Sequence, residues 1–489
     1  MLRPPDIFGR MELHVSLAGR RDVVGEIHRQ LRQAIVDGRL RPGDPLPPSR
    51  ELARRLRVSR TTVTIAYDRL AGEGYVSARV GAGTFVEGPR GRDGARRAAD
   101  QARDAGALRP RAVWASMPVP AAFVGLARAP FDFRTGIPDV SLFPHARWRG
   151  LLLRESRAEA ASGAHYGHPA GHRGLREAIA RHVGVSRGVE TTADDVTITN
   201  GTQQALDVVA RVLLSPGDQI AVEDPGYVPP RRLFEVLGLR VHGVPVDRDG
   251  LVVDALPRAA RAVYVTPSHQ YPLGVPMALA RRRALLAWAE RHDAAIVEDD
   301  YDSEFRFHGR PIDPLRTLDG SGRVIYVGSF SKTMLPSLRL GFLVTPPSLR
   351  DAVHRAKFVT DWASATLPQA ALARFVDEGG YARHLRKMSA VYRERHALVA
   401  ELLARELGDH LEPMPAAAGL HVAAVARTAS VEEVADVARR ASELGVQVQT
   451  LARCAVTGPG IPGLMLGYGA IATERIPEGM RLLRRCFEA

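Results

Sequence analysis

Over residues 22–73 apolar positions recur three and four apart, and short apolar stretches follow. Val24, Ile27, Leu31 and Ile35 mark one face of a helix that Gly38 ends. After the turn Arg41-Pro-Gly-Asp-Pro-Leu-Pro-Pro48, Ser49 is placed to cap a short helix carrying Leu52, Ala53 and Leu56. Ser59 is placed to cap the next, with Val63, Ala66, Tyr67 and Leu70 facing a core. Residues 74–86 read as two short strands around Gly81-Ala-Gly83. Three helices and a glycine-tipped hairpin predict a winged helix-turn-helix (α+β) within residues 12–87.

Residues 88–128 are rich in Arg, Ala, Gly and Pro without periodicity, the composition of a linker. From about residue 165 the pattern becomes apolar strand, polar loop, amphipathic helix, repeated. Residues 196–199, 219–222, 262–265, 294–297 and 324–327 are short, buried-looking strands. That layout predicts an α/β doubly wound sheet, which binds ligands outside its C-terminal strand ends. Each strand runs into polar residues: Asn200-Gly-Thr-Gln-Gln204, Glu223-Asp-Pro-Gly-Tyr227, Pro267-Ser-His-Gln-Tyr271, Glu298-Asp-Asp-Tyr301 and Gly328-Ser-Phe-Ser-Lys332. One converging site accounts for all five.

Composition narrows the class. With 489 residues, 45% hydrophobic and 25% charged, the chain is a soluble globular protein of more than one domain. Two cysteines without metal-ligand spacing, no signal peptide and no apolar run of about 20 residues point to the cytoplasm and away from membranes and metal sites. Of the net charge of +13, +8 falls in residues 1–110, with 21 Arg against 13 acidic residues, which suggests an anionic partner. Arg60, Thr61, Thr62 and Thr64 open the third helix, a mixture suited to phosphates and base edges in a major groove. There are only three lysines, Lys332, Lys357 and Lys387, against 64 arginines. A lysine kept in such a chain offers an amine that arginine cannot. Lys357 and Lys387 lie in arginine-rich helical patterns and read as surface residues.

The loops also suggest a ligand. Gly201, Thr202 and Gln203 lie where a strand meets a helix start, a phosphate-binding position. Ser329 and Arg339 flank Lys332 and can add phosphate contacts. Lys332 can form a Schiff base with an aldehyde, and a buried Asp299 can keep a pyridine nitrogen protonated. Tyr301 can bond a ring hydroxyl and Tyr227 can stack on the ring. Phosphate, aldehyde, pyridine and phenol-like oxygen together describe pyridoxal 5′-phosphate.

Leu46-Pro-Pro-Ser-Arg-Glu-Leu-Ala53, Val58-Ser-Arg-Thr-Thr-Val63, Tyr67-Asp-Arg-Leu70 and Glu73-Gly-Tyr-Val76 resemble the GntR-family DNA-binding domain. The resemblance implies Arg50, Arg60, Thr61, Thr62 and Thr64 as DNA contacts, with Gly83 at the wing tip. Phe133-Arg-Thr-Gly-Ile-Pro-Asp139, Tyr166-Gly-His-Pro-Ala-Gly-His-Arg-Gly-Leu-Arg176, Thr266-Pro-Ser-His-Gln-Tyr-Pro-Leu-Gly274, Glu298-Asp-Asp-Tyr-Asp-Ser-Glu-Phe305 and Ser329-Phe-Ser-Lys-Thr-Met-Leu-Pro-Ser-Leu-Arg-Leu-Gly341 resemble fold-type I aminotransferases, and more closely the MocR group of GntR-family regulators. The resemblance implies a PLP-dependent transferase fold over residues 129–489, with a large subdomain (about 165–370) and a small one (about 371–489 plus 129–164). It makes Lys332 the Schiff-base lysine, Asp299 the pyridine partner, Tyr301 the phenolic-oxygen partner and Tyr227 the stacking residue. Tyr166 is expected to reach a partner subunit's cofactor phosphate, in a homodimer that reads two DNA half-sites. Arg453 is a candidate for a carboxylate on an effector. The expected function is a regulator that senses pyridoxal phosphate or an amino compound reacting with it. A working aminotransferase carrying a DNA-binding module is the alternative, weakened by Tyr271 standing where ordinary aminotransferases have Asn.

Overall fold

The computed structural model describes residues 22–79, 83–87, 108, 110–115, 117, 129–162, 166–307, 313–416 and 418–488. The chain divides into two compact units, Met1–Pro110 and Arg111–Ala489.

In the first unit, helices α1 (Val23–Val36), α2 (Ser49–Leu56) and α3 (Arg60–Gly72) precede an antiparallel hairpin of β1 (Val76–Arg79) and β2 (Gly83–Val86). Ile27, Leu31, Leu52, Val63, Ala66, Leu70, Val76 and Val86 close a single core. Ser59 caps α3, its hydroxyl accepting from Thr62 N–H at 3.0 Å. Ser49 caps nothing: extended Pro48 takes the cap position, and Ser49 already belongs to the helix. The proline-rich turn is fixed to the hairpin by Leu46 N–H donating to Thr84 O and Val86 N–H to Asp44 O. Tyr67 OH anchors it from below, donating to Pro47 O at 2.8 Å.

In the second unit, β3 (Phe131–Asp132) comes first, and an eight-stranded sheet follows. Its strands are β4 (Val196–Thr199), β5 (Gln219–Asp224), β6 (Arg240–Asp247), β7 (Gly250–Leu251), β8 (Ala260–Val265), β9 (Ala295–Asp300), β10 (Val324–Ser329) and β11 (Gly341–Val344). They lie in the order β4-β11-β10-β9-β8-β5-β6-β7. The run from β10 to β6 is parallel, whereas β11 is antiparallel to both its neighbours. The five strands expected from the sequence are β4, β5, β8, β9 and β10; β6, β7 and β11 complete the sheet. Helices cover both faces. Leu206 and Val209 of the helix Thr202–Leu213 pack with Ile220 and Val222, while Leu285 and Trp288 of Leu279–Arg291 pack with Val263 and Ile296.

The C-terminal part contains β12 (Leu411–Pro413), β13 (His421–Ala426), β14 (Val446–Gln447), β15 (Gln449–Thr450) and β16 (Gly463–Gly467). Four of them form an antiparallel sheet, β12-β13-β16-β15, and β14 pairs in parallel with β3. Two further expectations are corrected. A short helix, Ala112–Ala115, interrupts the segment read as a tether, most of which lies outside the described residues. Lys357 is fully buried instead of exposed, its charge met by Asp361 and Ser364, while Lys387 is exposed as expected. Among the described residues no helix is long and apolar enough to cross a membrane.

Candidate functional site

Three consecutive acids, Glu298, Asp299 and Asp300, end β9, and strand alternation sends them to different places. Glu298 accepts the backbone N–H groups of Leu315 and Arg316. Asp300 pairs with Arg187 at 2.8 Å and accepts Tyr326 OH at 2.6 Å. Asp299 accepts only Tyr264 OH, at 2.7 Å on Oδ2, and its Oδ1 is buried without a hydrogen-bond partner among the described residues. Burial pushes the Asp299 carboxyl up to about 7. Asp299 thus lies inside the strand, not after it, as the middle acid of the row.

Lys332 follows β10. Its Nζ donates to Gly136 O at 2.7 Å, and Gly136 is held at φ +76°, a left-handed conformation that favours glycine. Burial lowers the ammonium's pKa, and the Asp302 and Asp299 carboxylates act in the opposite sense. Tyr301 OH donates to His269 O at 3.0 Å and lies 3.0 Å from His269 Nδ1. That ring nitrogen is also 3.1 Å from both oxygens of Asp302. His421, the third member of this buried polar group, donates from Nε2 to Pro272 O at 2.9 Å, and burial pulls its pKa down to about 4. Asp302, His269 Nδ1 and His421 Nε2 are thus engaged in hydrogen bonds, whereas His269 Nε2 is buried without a partner among the described residues. Tyr271 meets Tyr227 edge-on at 5.2 Å and shares a 3.1 Å hydroxyl contact with Thr135.

The turn after β4 carries the residues expected to hold a phosphate. Gly201 caps the helix Thr202–Leu213 at φ +76°, and Arg339, itself left-handed at φ +52°, donates to Asn200 O at 2.7 Å. A Cβ on Gly201 would meet the Arg339 guanidinium at 2.6 Å, and one on Gly341 would meet the Gly201 backbone at 2.9 Å. Glycine alone permits this close approach. Gln203 donates to Pro229 O at 3.2 Å, and Ser329 Oγ accepts Ser331 N–H at 3.1 Å.

Two candidates stand apart from this group. Tyr166 is 80% exposed and stacks on Trp362, with ring centroids 4.7 Å apart. Arg453 is exposed on the short helix Leu451–Cys454, near enough for its charge to act on the Tyr271 phenol. In the first unit Arg50, Arg60, Thr61 and Thr64 are exposed, whereas Thr62 is half-buried with its hydroxyl 2.7 Å from Ser59 Oγ. Gly83 opens β2; Gly81 and Ala82 lie outside the described residues. Sequence reasoning did not single out Gly136, Tyr264, His269, Asp302 or Asp361 as site residues, although the first four lie in strands or motifs it had marked.

Residues 24–86 match the model of the gntR family of bacterial regulatory proteins, and residues 131–465 match aminotransferase class I and II. The regulatory protein MocR of Rhizobium meliloti is 39% identical over 479 residues, covering 96% of this chain and 95% of that one. The chain belongs to the MocR group of the GntR family. This MocR-group regulator is also 34% identical over 399 residues to the pyridoxine biosynthesis transcriptional regulator PdxR of Corynebacterium glutamicum, covering 81% and 82% of the two chains. Its aminotransferase-like unit has a fold-type I relative in LysN, the α-aminoadipate aminotransferase of Thermus thermophilus, whose structure is complexed with N-(5′-phosphopyridoxyl)-L-leucine. The TM-score is 0.66 at 30% identity, over 73% of this chain and 92% of LysN.

Proposed function

We propose that this regulator binds pyridoxal phosphate covalently on Lys332 and uses its aminotransferase-like unit to sense the cofactor or an amine that reacts with it. The unpartnered Asp299 Oδ1 carries the reading: a buried carboxylate oriented by Tyr264 is suited to receive a protonated pyridine nitrogen. Gly201, Thr202, Gln203, Ser329 and Arg339 would hold the phosphate, Tyr301 the ring oxygen, and Tyr227 the ring face. Bound there, the cofactor supplies an aldehyde that condenses with amines and a ring that withdraws electrons. Burial lowers the pKa of the Lys332 ammonium, which favours the neutral amine needed for that link. The phosphopyridoxyl ligand in the LysN structure supports the same assignment.

Arg50, Arg60, Thr61, Thr62 and Thr64 would contact operator DNA, with Gly83 near the wing tip. A homodimer reading two half-sites, in the cytoplasm, fits the exposed patch of Tyr166, Phe358, Val359 and Trp362. From that face Tyr166 would reach the partner's cofactor phosphate. The relative named for pyridoxine biosynthesis favours vitamin B6 supply as the regulated process, and Arg453 would hold a carboxylate on an amino effector. A second reading, an aminotransferase with a DNA-binding module, rests on the same lysine, whose amine could also carry a proton. Steady turnover of an amino donor with a keto acid would establish it.

The test is spectroscopic. Adding pyridoxal phosphate to the intact chain should produce the visible absorbance of a lysine-linked cofactor. Lys332→Ala should abolish that band while the circular dichroism of the fold is unchanged. A surviving band means the site is misassigned.

A further inference from the structure

The turn assigned above to the cofactor phosphate contains an electrostatic conflict. Asp361, the last residue of the helix Arg350–Asp361, accepts from Asn200 Nδ2 at 3.2 Å and from Gln204 Nε2 at 2.7 Å, both on one carboxylate oxygen. Gln204 Oε1 in turn accepts the Asn200 N–H at 2.8 Å. These bonds brace the two residues that bracket Gly201, Thr202 and Gln203. A carboxylate supporting a turn that must accept a dianion would repel that dianion if its charge were free.

Lys357 supplies the opposing charge. It lies one turn earlier on the same helix, fully buried, and its Nζ donates to the other Asp361 oxygen at 2.6 Å and to Ser364 Oγ at 2.9 Å. The chain keeps lysine here against a background of 64 arginines. A compact ammonium suits a closed pocket with two acceptors, whereas a five-donor guanidinium would leave N–H groups unpaired. We propose that Lys357 is a positioning residue for the cofactor phosphate: it neutralises Asp361, so that this carboxylate can orient Asn200 and Gln204 without repelling the dianion. This rests on residues 201–203 being the phosphate turn.

The full-length chain is titrated with pyridoxal phosphate and, separately, with pyridoxal, which has the same ring and aldehyde but no phosphate. Lys357→Met keeps the side-chain length and strands the Asp361 charge. It should weaken pyridoxal phosphate about tenfold or more and leave pyridoxal within about twofold. Lys357→Met combined with Asp361→Asn removes the stranded charge and keeps an acceptor for Gln204. Its ratio of the two affinities should return to within about threefold of the unsubstituted chain. A loss shared equally by both ligands, or a double variant as selectively impaired as the single one, overturns the proposal. Should Lys357→Met fail to fold, the double variant decides alone, and a phosphate-selective loss of about tenfold in it counts against the idea. Failure of the cofactor reading itself shows up separately, as no saturable binding of pyridoxal phosphate by the unsubstituted chain, and ends both.

Discussion

At the scale of residues, the row Glu298, Asp299 and Asp300 shows how one strand gives identical chemistry different tasks. Glu298 takes the Leu315 and Arg316 amides and Asp300 takes Arg187 and Tyr326, whereas Asp299 meets only the Tyr264 hydroxyl and is the one assigned above to a ligand. Asp299 has a folded pKa of about 7, well above the ordinary carboxylate range, so folding favours its protonated form. That contribution is complete below the ordinary range and is lost as pH rises through about 7. Between about pH 4 and pH 7 this group lowers thermal stability as pH rises, against the buried histidines with lowered pKa, such as His421, which act in the opposite sense. Asp299→Asn, which cannot ionise, should differ from the unsubstituted chain in the slope of Tm against pH over that range, losing its share of the decline, by a few degrees in all. Glu223, Glu298 and Glu304, also pushed up to about 7 by burial, keep some slope in the variant. Identical slopes in thermal melts across that range would contradict the shifted state of Asp299.

At the scale of elements, the first turn of α3 joins stability to recognition, because Ser59 holds the Thr62 amide while Arg60, Thr61 and Thr64 face solvent. Ser59→Ala should cost the N-terminal unit about 1 kcal/mol in urea unfolding. Arg60→Ala should weaken operator binding and reduce the slope of log affinity against log salt by about 1, measured by fluorescence anisotropy. A variant with an unchanged slope would remove Arg60 from the phosphate contacts. The helices of this unit were legible because each buried face repeats at helical spacing. So were β4, β5, β8, β9 and β10, short apolar runs bounded by polar loops. Gly341 to Val344 is only four residues long and begins on the last residue of the lysine motif, which hid it as a separate strand, and β6 carries charges at both ends of an alternating run. Lys332 and Asp299 stood out by type and position. Tyr264 did not, since inside a buried strand a tyrosine reads as core until its hydroxyl's partner is known. Lys357 carried a signal that its arginine-rich surroundings obscured: it lies four residues after Val353, on the same buried helix face.

At the scale of the whole molecule, the rings of Tyr166, Phe358 and Trp362 form an exposed cluster beside exposed Val359, a candidate contact between subunits. Trp362→Ala should shift a dimer toward monomers at low micromolar concentration in sedimentation velocity, and with it weaken binding to a two-half-site operator more than to a single half-site. An unchanged sedimentation profile would move the interface elsewhere. The lysine loop and the turn proposed for the phosphate leave the sheet from β10 and β4, which are joined only through β11. At the head of β11 stands Gly341, whose missing side chain lets the Gly201 backbone press against it. The aldehyde and phosphate of pyridoxal phosphate hang from adjacent ring carbons, so a chain that is to hold both must keep its lysine loop and its phosphate turn at a matching span. The absence of one methyl group at Gly341 is what lets the two strands' ends approach that closely.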